Sequence, residues 1–186
     1  MDIFKKTKIW RRLGKLLDTR IGSSMVEAIA QPLNILSSLA VATHNDTIPW
    51  TPFTKPLGES CLALVSTAGF YMEGDIPFDV DSARGDASFR IIPSDCDKKK
   101  LKIAHTHYAH TRVEEDINVL FPLDRLHELV EAGVIGTLSP HFYSFGFGGN
   151  LTKEFIGGAD GSTGSAQELV QKLKAEDVDC VLMVPA

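Results

Sequence analysis

The apolar positions at the start of the chain recur at helical spacing. A second periodic stretch runs to Ala42 and is interrupted near Pro32, after which three prolines bias the backbone toward extended conformations. The apolar residues near one helical face of residues 4–20 are Phe4, Ile9, Leu13, Leu16 and Leu17. The pattern therefore predicts an N-terminal helical extension over residues 1–45 and a proline-rich linker over residues 46–58.

Beyond residue 58, short apolar runs alternate with helical patterns. The runs that indicate buried strands are Cys61–Thr67, Leu101–Ala104, Val134–Leu138 and Val178–Val184. Helical spacing covers Pro122–Glu131, which Gly133 closes, and most of Leu151–Ala175. This alternation predicts one α/β domain over residues 59–186, with a mostly parallel sheet flanked by helices.

Ligands of such folds gather beyond the carboxyl ends of the strands. We therefore expect the loops at Gly69, His105, His141 and Ala186 to meet at that edge. The connection from Phe70 to Pro93 is long for a compact domain, so we expect it to fold over a site as a flap. The segment His141–Gly149 mixes aromatic residues with glycines, which is typical both of a ligand-stacking loop and of a packed aromatic turn.

Composition excludes several functional classes. A net charge of -5 without a basic stripe argues against nucleic-acid binding. The 3 cysteines are far apart and form no C-x-x-C pair, which argues against a disulfide framework and favours a reducing, cytoplasmic location. No apolar run is long enough to predict a transmembrane segment. The first 20 residues are basic, which is typical of a solvated helix face or of a docking helix.

Three histidines, His105, His107 and His110, follow the Leu101–Ala104 run. Their spacing matches no specific metal motif, so proton donation around a substrate carboxylate competes with a metal site and with polar loop residues. In the proton-donor interpretation, Arg112 clamps the substrate and Asp116 fixes an imidazole tautomer. Asp116 and Asn118 also suit a turn into the next element.

A collinear series of short segments carries a family resemblance over about residues 46–186. The segments are Ile48–Pro52, Lys55–Leu57, Gly85–Pro93, His105–His110, Asp116–Arg125, Gly133–Gly136 and Val178–Leu182. Together they resemble the selenoprotein B component of the glycine, sarcosine, betaine and D-proline reductase family. The resemblance implies a cytosolic oxidoreductase component that reductively cleaves a carbon–heteroatom bond, usually carbon to nitrogen, in a small amino-acid derivative.

In that family a selenocysteine, or a cysteine in its place, follows the strand that matches Val178–Val184. The sequence ends at Pro185–Ala186, so we expect the redox motif after Ala186, behind an in-frame UGA codon. The implied partners are an amino-acid-like substrate, other reductase subunits, a thioredoxin-type reductant and further copies of the chain. The expected catalytic residues are His105, His107, His110 and Asp116. The expected substrate-binding residues are Thr67, Gly69, Tyr108, Arg112, Asn118 and His141.

Two other functions remain open from the sequence. One is a non-catalytic metal-binding or regulatory α/β module built on the His105–His110 loop. The other is an assembly subunit that docks through its basic N-terminal helices.

Overall fold

The computed structural model describes residues 51–82, 85–106, 108–147, 152–158 and 161–186. The predicted helical extension over residues 1–45 and the start of the linker lie outside the described residues. Residues 51–58 are exposed and lead into a 3₁₀ turn at Leu57–Glu59. No helix in the described part of the chain is long and apolar enough to cross a membrane.

A five-stranded mixed sheet forms the centre of the described chain. Its strands are β1 (Cys61–Ser66), β3 (Phe89–Pro93), β5 (Thr137–Leu138), β6 (His141–Phe145) and β7 (Cys180–Val184). β5 and β6 follow each other along one side of β1, and β7 lies along the other side; all three are parallel to β1. β3 is antiparallel to β6. The α/β prediction with a mostly parallel sheet is confirmed.

Two layers cover the sheet. On one face, Leu62 and Leu64 pack with side chains from α1 (Thr111–Glu115) and α2 (Leu123–Glu131). On the other face, Val65 and Tyr143 pack with Leu169 of α4 (Ser165–Ala175). A short helix, α3 (Thr152–Ile156), precedes α4. β1 is buried because neighbouring strands flank it and apolar layers lie above and below.

Two expectations about the strands are wrong, and a third is confirmed only in part. The third strand is not Val134–Leu138: β5 holds only Thr137–Leu138, and the chain continues as β6 through the segment expected to be a loop. Aromatic residues suit a strand buried on both faces, and Phe142 and Tyr143 are fully buried there. The run at Leu101–Ala104 does form a strand, β4 (Leu101–Ile103), but it pairs antiparallel with β2 (Phe70–Met72) in a separate sheet.

Candidate functional site

The candidate site is built around the loop after β1. Ser66 Oγ donates a hydrogen bond to Leu120 O at 2.8 Å and accepts one from Ala68 N at 3.2 Å, which fixes the start of the loop. Gly69 has a φ of +74°, and a Cβ at this position would stand 2.5 Å from Ala104 O. The backbone of residue 69 therefore requires glycine, both for its left-handed conformation and for its contact with the histidine segment.

Backbone bonds join this loop to two other chain segments. Gly69 N donates to Phe145 O at 2.8 Å, and Ala104 N donates to Gly69 O at 2.9 Å. The ends of β1 and β6 and the start of the histidine segment are consequently held at one edge of the sheet.

The histidine segment rests on the loop through Tyr108. Its hydroxyl donates to Ala68 O at 2.8 Å, and its ring centroid lies 4.8 Å from that of His105 and 4.7 Å from that of His110. His105 is buried at 7% exposure and also meets Phe147, with ring centroids 6.3 Å apart. The neighbouring rings are tilted by 43° and 59°, and we call this row of His105, Tyr108 and His110 the imidazole stack. His107 lies outside the described residues.

The end of β7 reaches the same loop. Thr67 N donates to Val184 O at 3.1 Å, and Ala186 N donates to Thr67 Oγ1 at 2.9 Å. The expectation that Gly69, His105 and Ala186 share the carboxyl edge is therefore confirmed. Thr67 acts here as an acceptor for the backbone that follows β7.

A cavity of about 480 Å³ opens beside His110. His110 Nε2 is buried and has no hydrogen-bond partner among the described residues. The cavity lining combines apolar, cationic and anionic side chains. Its lining residues include Phe70, Ile103, Val113, Lys98, Lys99, Lys102, Glu114, Glu115 and Asp116. Side chains of both charges among apolar ones suit a small zwitterion.

The lysines of this cavity were missed from the sequence. Lys98–Lys100 form a 3₁₀ turn immediately before β4, and Lys102 lies within that strand. The run of three lysines was visible in the sequence. The sequence does not show that this run lies beside the histidines, because β4 belongs to a small second sheet.

Asp116 and Asn118 shape a turn in this structure. Asp116 Oδ1 accepts hydrogen bonds from Asn118 N at 2.9 Å and Asn118 Nδ2 at 2.8 Å, and these bonds lower the pKa of Asp116. Asn118 Oδ1 accepts a bond from Asp124 N at the start of α2. Asp116 shares the cavity lining with His110, but these hydrogen bonds hold it to Asn118. Arg112 is exposed on α1.

His141 lies away from the imidazole stack, so its predicted place at the carboxyl edge is wrong. It begins β6 and pairs with Pro93, whereas the Gly69 loop bonds to the other end of the strand at Phe145. The error follows from assigning residues 141–149 to a loop. His141 Nδ1 instead lies 2.7 Å from Glu176 Oε1.

Glu176, directly after α4, joins that helix to β6. Its carboxylate accepts bonds from the Ser139 hydroxyl and, at 3.1 Å, from the Tyr143 hydroxyl, in addition to its contact with His141. Partial burial pushes the pKa of Glu176 upward, but the hydrogen bonds outweigh burial and leave the pKa below its usual value. Burial, followed by the Glu176 charge, raises the pKa of Tyr143.

The connection expected to be a flap, Phe70–Pro93, contains β2 and β3, and its middle part is anchored at the carboxyl edge. Phe78 is buried under Gly146, where an added Cβ would stand 2.8 Å from its ring. The Arg90 guanidinium lies 4.2 Å from the Phe78 ring centroid and donates to Ile76 O and Pro77 O. These contacts hold residues 76–78 against the end of β6. The sequence offered no signal for the pairing of Phe78 with Arg90.

Two further features bear on the chemistry. Within the described ranges, no group of three or more histidine, cysteine or acidic residues has a geometry that could hold a metal ion.

A second cavity, of about 650 Å³, has four carboxylates in its lining, those of Asp79, Asp86, Glu154 and Glu168. None of its described lining residues is a histidine.

Comparisons with known proteins give a consistent result. Residues 36–186 match the family model described as glycine/sarcosine/betaine reductase selenoprotein B. The chain is 37% identical over 134 residues to the D-proline reductase subunit gamma of Acetoanaerobium sticklandii, covering 72% of this chain and 52% of that protein. It is 28% identical over 141 residues to the glycine reductase complex component B subunit gamma of Symbiobacterium thermophilum, covering 74% of this chain and 31% of that protein. The chain thus spans about half, or less, of the length of these curated relatives. No solved structure matches.

Proposed function

Because this chain belongs to the glycine/sarcosine/betaine reductase selenoprotein B family, we propose that it forms the substrate side of a selenol- or thiol-dependent reductase. The reductase cleaves a carbon–nitrogen bond in a small amino-acid derivative such as glycine, sarcosine, betaine or D-proline. It works with other subunits of a reductase complex and a thioredoxin-type reductant. A cytoplasmic location fits the three free cysteines among the described residues.

The observation that carries this proposal is the imidazole stack on the loop between β1 and β2. It brings two imidazoles, His105 and His110, to the edge where β7 also ends. Imidazole exchanges protons near neutral pH, which makes these side chains suitable general acids.

The nucleophile in this proposal is a selenocysteine or cysteine that follows β7. Its selenolate or thiolate attacks the substrate carbon, and the carbon–nitrogen bond breaks as the carbon–chalcogen bond forms. The leaving nitrogen keeps the bonding electron pair and takes a proton from His105 or His110. The thioredoxin-type dithiol is then oxidised to its disulfide, and its two electrons and two protons break the carbon–chalcogen bond. One proton goes to the product carbon and the other to the chalcogen, which is regenerated as a selenol or thiol. A low-pKa chalcogen suits this role because its ionised form is the nucleophile.

The cavity beside His110 is the place we propose for the substrate. Lys98 pairs with Asp124 and Lys102 with Glu73, so we assign the substrate carboxylate to Lys99 and the ammonium group to Glu114. A volume of about 480 Å³ accommodates each of the four candidate substrates.

Histidine replacement in the full-length protein, assembled with its partner subunits, tests this function. We expect His110→Gln or His105→Gln to lower turnover by about a hundredfold when that residue is the general acid. His127→Gln is the matched control, because its Nε2 bonds to Ser94 O outside the imidazole stack. Unchanged turnover in both stack variants contradicts the proposed role.

The nucleotide sequence provides a separate test of the nucleophile. A UGA codon after codon 186, followed by coding sequence with a nearby cysteine codon, supports a selenocysteine. Any other stop codon without such sequence contradicts it.

A further inference from the structure

β7 has an uncovered outer edge. It pairs with β1 from Cys180 to Val184, and among the described residues no strand pairs with its other side. None of its five residues is charged, yet Val181, Leu182 and Met183 are 39%, 37% and 70% exposed. An apolar strand edge of this kind is a ready template for further pairing.

Burial falls sharply from β1 to β7 on both faces of the sheet. Leu64 is fully buried, whereas its register partner Leu182 is more than one-third exposed. On the opposite face, Val65 is 3% exposed and its partner Met183 is 70% exposed. The covering layers therefore stop near β1, although parallel strands are normally covered on both faces.

We propose that β7 is an interior strand of a wider sheet. A further parallel strand pairs with its outer edge, and helices connected to that strand cover Leu182 and Met183. The occupant is polypeptide equivalent to the part of the longer relatives that this chain does not span, since the chain covers 52% of one relative and 31% of the other. This inference rests on family membership and is independent of the reductive chemistry.

Hydrogen–deuterium exchange tests the occupant directly. The 186-residue chain is compared with a chimaera in which the matched segment of the D-proline reductase subunit gamma is replaced by the corresponding residues of this chain, β7 included. We expect the outward-facing amides of Cys180–Val184 to exchange at least about tenfold more slowly in the chimaera. Equal exchange in the two proteins overturns the proposal.

Met183→Lys provides a second, structural readout. In the 186-residue chain position 183 is exposed and tolerates a lysine, so we expect the melting temperature to shift by less than about 2 °C. In the chimaera the lysine is buried, so we expect a fall of more than about 5 °C. Ile76→Lys, at another exposed apolar position, is the control and leaves both proteins unchanged.

The same measurements identify other occupants. A β7 that is already protected in the 186-residue chain, with protection that depends on concentration, indicates a second copy of the chain. Protection that disappears when residues 1–50 are deleted indicates the N-terminal segment. Either result overturns the proposal. If the chimaera does not fold, lysine is introduced into the intact D-proline reductase subunit gamma at the position aligned with Met183. An unchanged melting temperature of that variant contradicts the proposal.

Discussion

Gly69 connects the sheet to the imidazole stack through its backbone. We expect Gly69→Ala to destabilise the protein by about 1 to 3 kcal/mol more than Gly74→Ala, because its Cβ would stand against Ala104 O. Gly74 also has a positive φ, but no atom lies within 4 Å of its added Cβ, so it controls for conformational strain alone. Urea unfolding measures both variants. Equal losses would show that the contact with Ala104 contributes nothing.

The hydroxyl of Tyr108 fixes the stack on the loop after β1. We expect Tyr108→Phe to cost about 1 kcal/mol of unfolding free energy, because Ala68 O loses its 2.8 Å hydrogen bond. Tyr71→Phe, in the neighbouring strand β2, is the matched control. A loss no larger than that of the control, measured by chemical unfolding, argues against the bond as an anchor.

At the level of elements, Glu176 links the end of α4 to β6 and makes the free energy of unfolding depend on pH. Its pKa is lowered in the folded protein, so this contribution is present above the ordinary carboxyl value of 4.5 and is lost as the pH falls below it. We expect Glu176→Gln to reduce stability near neutral pH and to flatten its decline between about pH 5 and pH 3. Urea midpoints across this range measure the effect.

Glu128→Gln is the control for that titration. Glu128 forms an exposed ion pair with Arg125 on α2, so its loss changes stability little. An acid profile of Glu176→Gln that parallels that of the unmodified protein contradicts the proposed link.

The guanidinium of Arg90 holds residues 76–78 of the connection between β2 and β3. We expect Arg90→Lys to increase proteolytic cleavage within residues 73–82 several-fold, because lysine cannot hold Ile76 O and Pro77 O in a fork while stacking on Phe78. Limited proteolysis with mass spectrometry locates the cuts. Unchanged cleavage would mean that burial of Phe78 alone anchors the segment.

Elements with a simple pattern were predictable from the sequence, and those that depend on distant partners were not. β1 and β7 are continuous apolar runs, and α2 has a proline before its first turn and Gly133 after its end, so local rules were sufficient. β6 was mistaken for a loop because its aromatic residues lie beside Gly146. Its strand conformation depends on pairing with β1 and β3.

The residues of the candidate site also fall into those that the sequence predicts and those that it does not. His105, Tyr108 and His110 are close together in the chain, and their place at the carboxyl edge was expected. They reach that edge through the bond from Ala104 N to Gly69 O, and not by following a strand of the main sheet. Asp116 and Asn118 are explained by local turn geometry, which the sequence also allowed. His141, Glu176 and the lysines of the cavity required tertiary pairing that no short motif records.

For the whole molecule, the described chain brings the ends of β1, β6 and β7 to one loop and holds the imidazole stack upon it. The chain belongs to the glycine/sarcosine/betaine reductase selenoprotein B family, and a reductase complex is the setting that we propose for this arrangement. The predicted domain limits, the self-association of the chain and the role of residues 1–45 stay predictions.

The most direct measurement is substrate reduction by the chimaera with the D-proline reductase subunit gamma, assembled with the other subunits of that reductase and a dithiol reductant. Glycine, sarcosine, betaine and D-proline are each supplied, and reduced products are quantified by mass spectrometry. We predict turnover of at least one substrate, and a fall of about a hundredfold when both His105 and His110 are replaced by glutamine. An assembled complex that reduces none of the four, or that keeps full turnover without these two histidines, would contradict the account.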